Sequence, residues 1–199
     1  MGVKLVSVSG GSVEINPPAT ASNFTATMPA GTGNVVVNGI NGALVSGTAV
    51  AATSGTSIDF TGIPSWVKRI TVMFNGVSTN GTSNILFQLG DSGGIENTGY
   101  LGSGSVIGAS SASSANFTAG FGLTGANATY DYSGSLSICL QDATSNTWVA
   151  NGFFGSSTVT ANWFTSGKKP LSATLDRVRI TTVNGTDTFD AGSINILYE

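Results

Sequence analysis

The chain has 199 residues, 7 of them Lys or Arg and 10 Asp or Glu, for a net charge of −3, and it contains no histidine. No Lys or Arg falls between Arg69 and Lys168, so the clustered cations that nucleic acid or an anionic lipid surface needs are missing. Without His, the commonest general base and the commonest metal ligand are both absent.

Residues 1–45 carry short apolar pieces at Val3–Val8 and Val35–Val37, broken by Pro17, Pro18, Pro29 and several Gly. A piece this small and irregular buries too little surface to stand alone. It is expected to be an extended arm that leans on a sister chain or a docking partner. Met1–Gly10 lacks the apolar core of a signal peptide, and no apolar run approaches the about 20 residues of a membrane span.

Residues 46–199 form the expected folded domain. Hydrophobic residues make up 40% of the chain, too many for disorder at so small a net charge. Alternation with period two runs through this part, and no amphipathic helix of useful length interrupts it. Strands are expected near Thr56–Phe60 and over Lys68–Asn75, where Ile70, Val72 and Phe74 share a face opposite Arg69, Thr71 and Met73. In Ile85–Leu89, Ile85, Phe87 and Leu89 face one way. Further strands are expected at Asn116–Leu123, Ser135–Gln141, Thr147–Phe154, Thr158–Phe164 and Asp176–Thr182. In the last strand, Ile194, Ile196 and Tyr198 oppose Asn195 and Leu197. Asn-Gly pairs beginning at Asn38, Asn41, Asn75, Asn80, Asn151 and Asn184 supply the positive φ angles of tight hairpins. The fold class is all-β: an antiparallel β-sandwich or jelly roll with an N-terminal arm.

Gly90-Asp91-Ser92-Gly93-Gly94 repeats the run around the nucleophilic serine of trypsin-like proteases. That serine needs an imidazole to take its proton, so Ser92 is expected to sit in a plain turn. Asp91 and Glu96 are too few oxygens for a hard cation, and no metal or cofactor is expected. Gly102–Gly108 misses the dinucleotide fingerprint and lacks the helix a phosphate site requires; it reads as a loop. Cys139 is the only cysteine, which excludes an intrachain disulfide and reads as a buried free thiol made in a reducing cytosol. A glycosidase would need two carboxylates about 5–10 Å apart. Asp91, Glu96, Asp131 and Asp142 are the candidates, and their spacing singles out no pair.

Two stretches carry a family resemblance. The first is Gly11-Ser12-Val13-Glu14-Ile15, Pro18-Ala19-Thr20 and Met28-Pro29-Ala30-Gly31-Thr32-Gly33-Asn34-Val35-Val36-Val37. The second joins Asp59–Val72, Gly90–Glu96, Thr98–Tyr100, Asp176–Ile180 and Asp187–Asn195. Both resemble bacteriophage tail-fibre proteins, the second a C-terminal knob domain of such fibres. The resemblance implies a homotrimeric virion protein, made in the host cytoplasm, attached to other virion proteins through residues 1–45. It implies a distal end that touches the host and supplies no set of catalytic residues. No long repeat shaft is present, so a compact knob, a head fibre and a decoration all fit.

Sugars present apolar ring faces and hydroxyls, which suit aromatic platforms flanked by Asn and Asp. Tyr130-Asp131-Tyr132, Asn146-Thr147-Trp148 and Asn162-Trp163 combine those types. Tyr130, Tyr132 or Trp148 is expected to stack on a bacterial surface glycan, with Asp131 or Asn146 fixing its hydroxyls. Two other functions stay open: a purely structural decoration without a ligand, and a tail-spike-like glycan hydrolase.

Overall fold

A computed structural model describes residues 3–6, 12–15 and 44–199. The chain divides into two compact units, Met1–Val35 and Val36–Glu199. In the first unit, β1 (Val3–Val6) pairs antiparallel with β2 (Ser12–Ile15). The rest of the expected arm lies outside the described residues.

The second unit is built from two antiparallel sheets and, among the described residues, no helix. The larger sheet takes β3 (Val45–Ser46), β4 (Val50–Ala51), β6 (Arg69–Thr79), β9 (Leu101–Gly108), β10 (Ala112–Phe117), β12 (Tyr132–Asp142), β13 (Thr147–Gly155), β14 (Ala161–Pro170) and β16 (Phe189–Tyr198). Its order is β10-β9-β14-β13-β12-β6-β16-β3, with β4 also on β16. The smaller sheet has β5 (Ile58–Thr61), β7 (Ile85–Asp91), β8 (Gly94–Glu96), β11 (Phe121–Leu123) and β15 (Arg177–Thr182) in the order β11-β7-β15-β5, with β8 on β7.

The two sheets share one apolar core, the arrangement of a β-sandwich. Alternation decides which residues enter it. Ile70, Val72 and Phe74 of β6 are buried, as are Leu136 and Ile138 of β12 and Ile194 and Ile196 of β16. Phe74 and Phe154 from the larger sheet meet Phe87 from the smaller at 5.2 and 5.7 Å, ring centre to ring centre. Trp163 closes another part of the core against Tyr132 at 4.9 Å, and its indole N–H donates to the Thr124 carbonyl. Burying each such ring contributes about 1.5–3 kcal/mol.

The structure extends the sequence reading or departs from it in four places. Strand β7 is buried on both faces, because the chain at Ala119–Gly120 crosses its outer side and the Ala119 carbonyl accepts the Gln88 side-chain amide at 2.8 Å. Gly102–Gly108 is a strand, not a loop. Its glycines face inward where β11 comes close: a Cβ on Gly104 would stand 2.2 Å from the Gly122 carbonyl oxygen. The expected strand Asn116–Leu123 is split between the two sheets as β10 and β11. The Asn-Gly pairs are not all hairpin turns. Gly185 has φ +67 after β15, but Gly76 (φ +62) sits in an irregular stretch of β6 and Asn151-Gly152 lies mid-strand. The pairs at Asn38 and Asn41 lie outside the described residues.

Candidate functional site

Strands β13 and β14 each contain two adjacent aromatic residues, Phe153-Phe154 and Trp163-Phe164. Successive side chains on a strand point to opposite faces, so each pair must send one ring inward and one outward. Phe154 and Trp163 go to the core at 0% exposure, while Phe153 and Phe164 stand on the outer face at 53% and 39%. The register places Phe153 directly opposite Phe164. Their ring centres are 5.1 Å apart and the planes are tilted by 60°.

The cross-strand register continues this pair into a row. From β10 to β16 it reads Ser114, Ser105, Phe164, Phe153, Ser135, Met73 and Asn195. The next outward row reads Asn116, Ser103, Ser166, Asn151, Ser137, Thr71 and Leu197. A shallow groove of about 460 Å³ runs between these rows, floored by Gly152 and Thr165 and flanked by Phe153, Phe164 and serines. Exposed rings beside hydroxyls and amides can stack on the C–H face of a sugar and exchange hydrogen bonds with its hydroxyls.

The five residues expected to bind glycan do not make one patch. Ser133 opposes Gly155 while Leu140 opposes Trp148, so Tyr132 and Trp148 lie at opposite ends of the β12–β13 hairpin, roughly 25 Å apart at the usual rise per residue. Tyr132 and Trp148 are 1% and 2% exposed, packed in the core and unable to stack on a ligand. Tyr130 is half-buried and leans on Trp163 at 5.9 Å. Asn146 and Trp148 do meet, in a cleft of about 80 Å³ that Lys68 also lines. Asn146 is there with φ +48 and its carbonyl accepts the Leu171 N–H, a turn role that Asn tolerates.

Asp131 is occupied inside the protein. Its carboxylate accepts the Ser156 hydroxyl at 2.7 Å, the Ser157 N–H and hydroxyl at 2.8 Å each, and the Thr158 N–H at 3.0 Å. Burial pushes its pKa up, but these bonds outweigh burial and hold it well below the usual carboxylate range. Asp131 thus pins the β13–β14 connection that presents Phe153 and Phe164.

Asp91 and Glu96 lie close together because both bind Ser172. The Ser172 hydroxyl donates to Asp91 at 2.6 Å, and its N–H donates to Glu96 at 2.7 Å. Glu96 also pairs with the ammonium of Lys169, a residue only 4% exposed. The Ser172 hydroxyl and Gly93 N–H lower the Asp91 pKa. For Glu96, burial raises the pKa and Lys169 with Ser172 outweighs it. A glycosidase's acid needs a raised pKa, and both carboxyls here are shifted the other way. Gly90–Gly94 forms the β7–β8 hairpin, with the Asp91 carboxylate accepting the Gly93 N–H at 2.8 Å. Ser92 is exposed on that turn. Cys139 is half-buried on the outer face, opposite Arg69, rather than in the core, because it shares phase with Ser135 and Ser137.

These depressed carboxyls give a pH expectation. A lowered folded pKa contributes stability that is present above about pH 4 and is lost as pH falls through the folded values. Melting temperature should therefore hold from pH 7 to about pH 5 and fall below pH 4. An Asp131→Asn chain should start lower and fall less steeply. A wild-type melting temperature unchanged between pH 6 and pH 2 would contradict these pairings.

No family model, curated protein or solved structure matches the chain.

Proposed function

We propose that this chain is a non-enzymatic bacteriophage virion protein, a fibre or knob, that adheres to bacterial surface glycan through the outer face of its larger sheet. The observation that carries the adhesion reading is the exposed Phe153–Phe164 pair set among serine and asparagine side chains. The virion reading rests on the stretches that resemble tail-fibre proteins. Five of the eight large apolar side chains exposed in the described residues lie on this one face: Leu101, Ile107, Val149, Phe153 and Phe164. Core packing does not account for rings left in water, and a clustered exposed apolar patch marks an interaction site.

A single shallow site binds weakly. Copies held together raise attachment by about 10²–10⁴ through effective concentration, which is why a homotrimer suits the function. Residues 1–45 are proposed to join copies or other virion proteins. Light scattering of the purified chain at micromolar concentration should give the mass of a trimer, and a monomer there would defeat this part of the proposal. The adhesion itself is tested by binding labelled protein to host cells and competing with polysaccharide extracted from them. Competition is expected; binding that the polysaccharide leaves unchanged would remove the glycan reading and leave a purely structural decoration.

A further inference from the structure

We infer that the glycan held on the outer face is a neutral polysaccharide, bound without help from charge. The inference rests on the adhesion reading above and adds the ligand's chemical class. On the five strands β10, β9, β14, β13 and β12, the outward positions are uncharged with two exceptions, both at the end of the sheet away from the aromatic pair. One is Lys168, which pairs across β13 with Val149 and not with either phenylalanine. The other is Asp142, the last residue of β12, opposite Thr147.

Lys168 is four residues along β14 from Phe164, roughly 13 Å at the usual rise. That exceeds the about 8 Å Debye length at physiological salt, so its field is largely screened at the aromatic pair. Thr147, which faces Asp142, is farther still from Phe153, roughly 20 Å along β13. The Asp142 carboxylate accepts the Thr144 N–H and the Ser145 hydroxyl. Arg69, on β6 beyond Cys139, is occupied by Glu199. At the other end of the sheet, Asp131 is engaged by Ser156, Ser157 and Thr158. An acidic sugar laid over Phe153 would meet no counter-charge at the rings, the cation that does approach the groove being Lys168, two residues past Ser166 on β14, and the chain's net charge of −3 repels it.

What the face does offer is short hydroxyls. Ser103, Ser105, Ser135, Ser137 and Ser166 surround the rings. Each hydroxyl is one donor and two acceptors, the same inventory as a sugar hydroxyl. The ring planes are tilted by 60° rather than coplanar. They therefore form an angled flank of the 460 Å³ groove, on which one ring at a time can stack on a sugar face, rather than a flat table for a crystalline surface.

Salt dependence reads the inference directly. The purified protein is titrated by calorimetry against neutral polymers (dextran, mannan, galactan) and acidic ones (polygalacturonate, hyaluronate). Titrations run at low salt and at about 0.5 M NaCl, where the Debye length shrinks toward about 4 Å. The expected result is binding to at least one neutral polymer, changing less than about twofold between the two salts. That binding is abolished by Phe153→Ser with Phe164→Ser. Binding to acidic polymers only, or affinity that falls about tenfold with salt, overturns the neutral assignment while leaving adhesion standing. Binding to no polymer overturns the inference. If light scattering of wild type then shows self-association that the double variant loses, the face is occupied by a second copy and the adhesion reading fails with it.

Discussion

Replacing both Phe153 and Phe164 with serine is expected to abolish adsorption to host cells while leaving the fold intact. The rings are 53% and 39% exposed, so their loss opens no cavity. Their mutual contact, a cross-strand aromatic pair, contributes about 0.5–1 kcal/mol to the sheet, which a stable domain tolerates. Binding is a different matter. Removing a stacking aromatic at a contact centre costs roughly 1–3 kcal/mol, or about 5- to 150-fold in affinity per ring. In the proposed trimer, the loss of two rings would be multiplied across three sites. Each single variant should reduce adsorption and the double variant should remove it, with melting temperature within a few degrees of wild type. Val183→Ser, at an exposed apolar residue that follows β15 of the smaller sheet, should adsorb normally. Wild-type adsorption by a folded double variant would reject the aromatic pair as the site.

The second large effect is on stability. Lys169→Ala should destabilise the domain by about 3–5 kcal/mol, the usual result of removing one partner from a buried ion pair. The Lys169 side chain is buried; its ammonium sits on the Glu96 carboxylate and lies 5.4 Å from the centre of the Tyr100 ring. Around it the Tyr100 hydroxyl donates to the Glu96 carbonyl at 3.0 Å and accepts the Leu89 N–H at 2.6 Å. Deleting the cation leaves Glu96 with only the Ser172 N–H and unsettles the β8 end of the smaller sheet. Lys169→Met combined with Glu96→Gln should be milder than Lys169→Ala, because no uncompensated charge remains. Urea unfolding checks both. A loss below about 1 kcal/mol for Lys169→Ala would show that water reaches the pair. Such a result would make it a surface bridge of small worth.

Much of the fold is legible in the sequence because period two is a strict geometric rule. The faces of β6 and β16 follow from alternation alone. The same rule also contains the site. Adjacent rings on one strand cannot both enter the core, so Phe153-Phe154 and Trp163-Phe164 each require one ring facing outward. Tyr132 is misplaced for the complementary reason. It shares phase with Leu136 and Ile138, but its Gly, Asn and Ser neighbours suggest a turn, and parity outweighs them. Trp148 shares phase with Ala150 and Phe154 in the same way. Strand β9 is hidden because Gly102, Gly104 and Gly108 read as loop, whereas here Gly104 admits the backbone of β11. The roles of Asp131 and Glu96 are not legible at all. Their partners, Ser156–Thr158 and Lys169, lie 25 or more positions away, and composition does not reveal such pairings.

The most direct test of the proposed adhesive face is fluorine NMR with a single fluorinated phenylalanine at position 164. Adding polysaccharide extracted from host cells should move that resonance saturably, and diluting the protein alone should leave it in place. A resonance that moves on dilution and ignores the polysaccharide would mean that copies of the chain cover this face, and a resonance that moves in neither experiment would mean that the aromatic pair is not a binding surface.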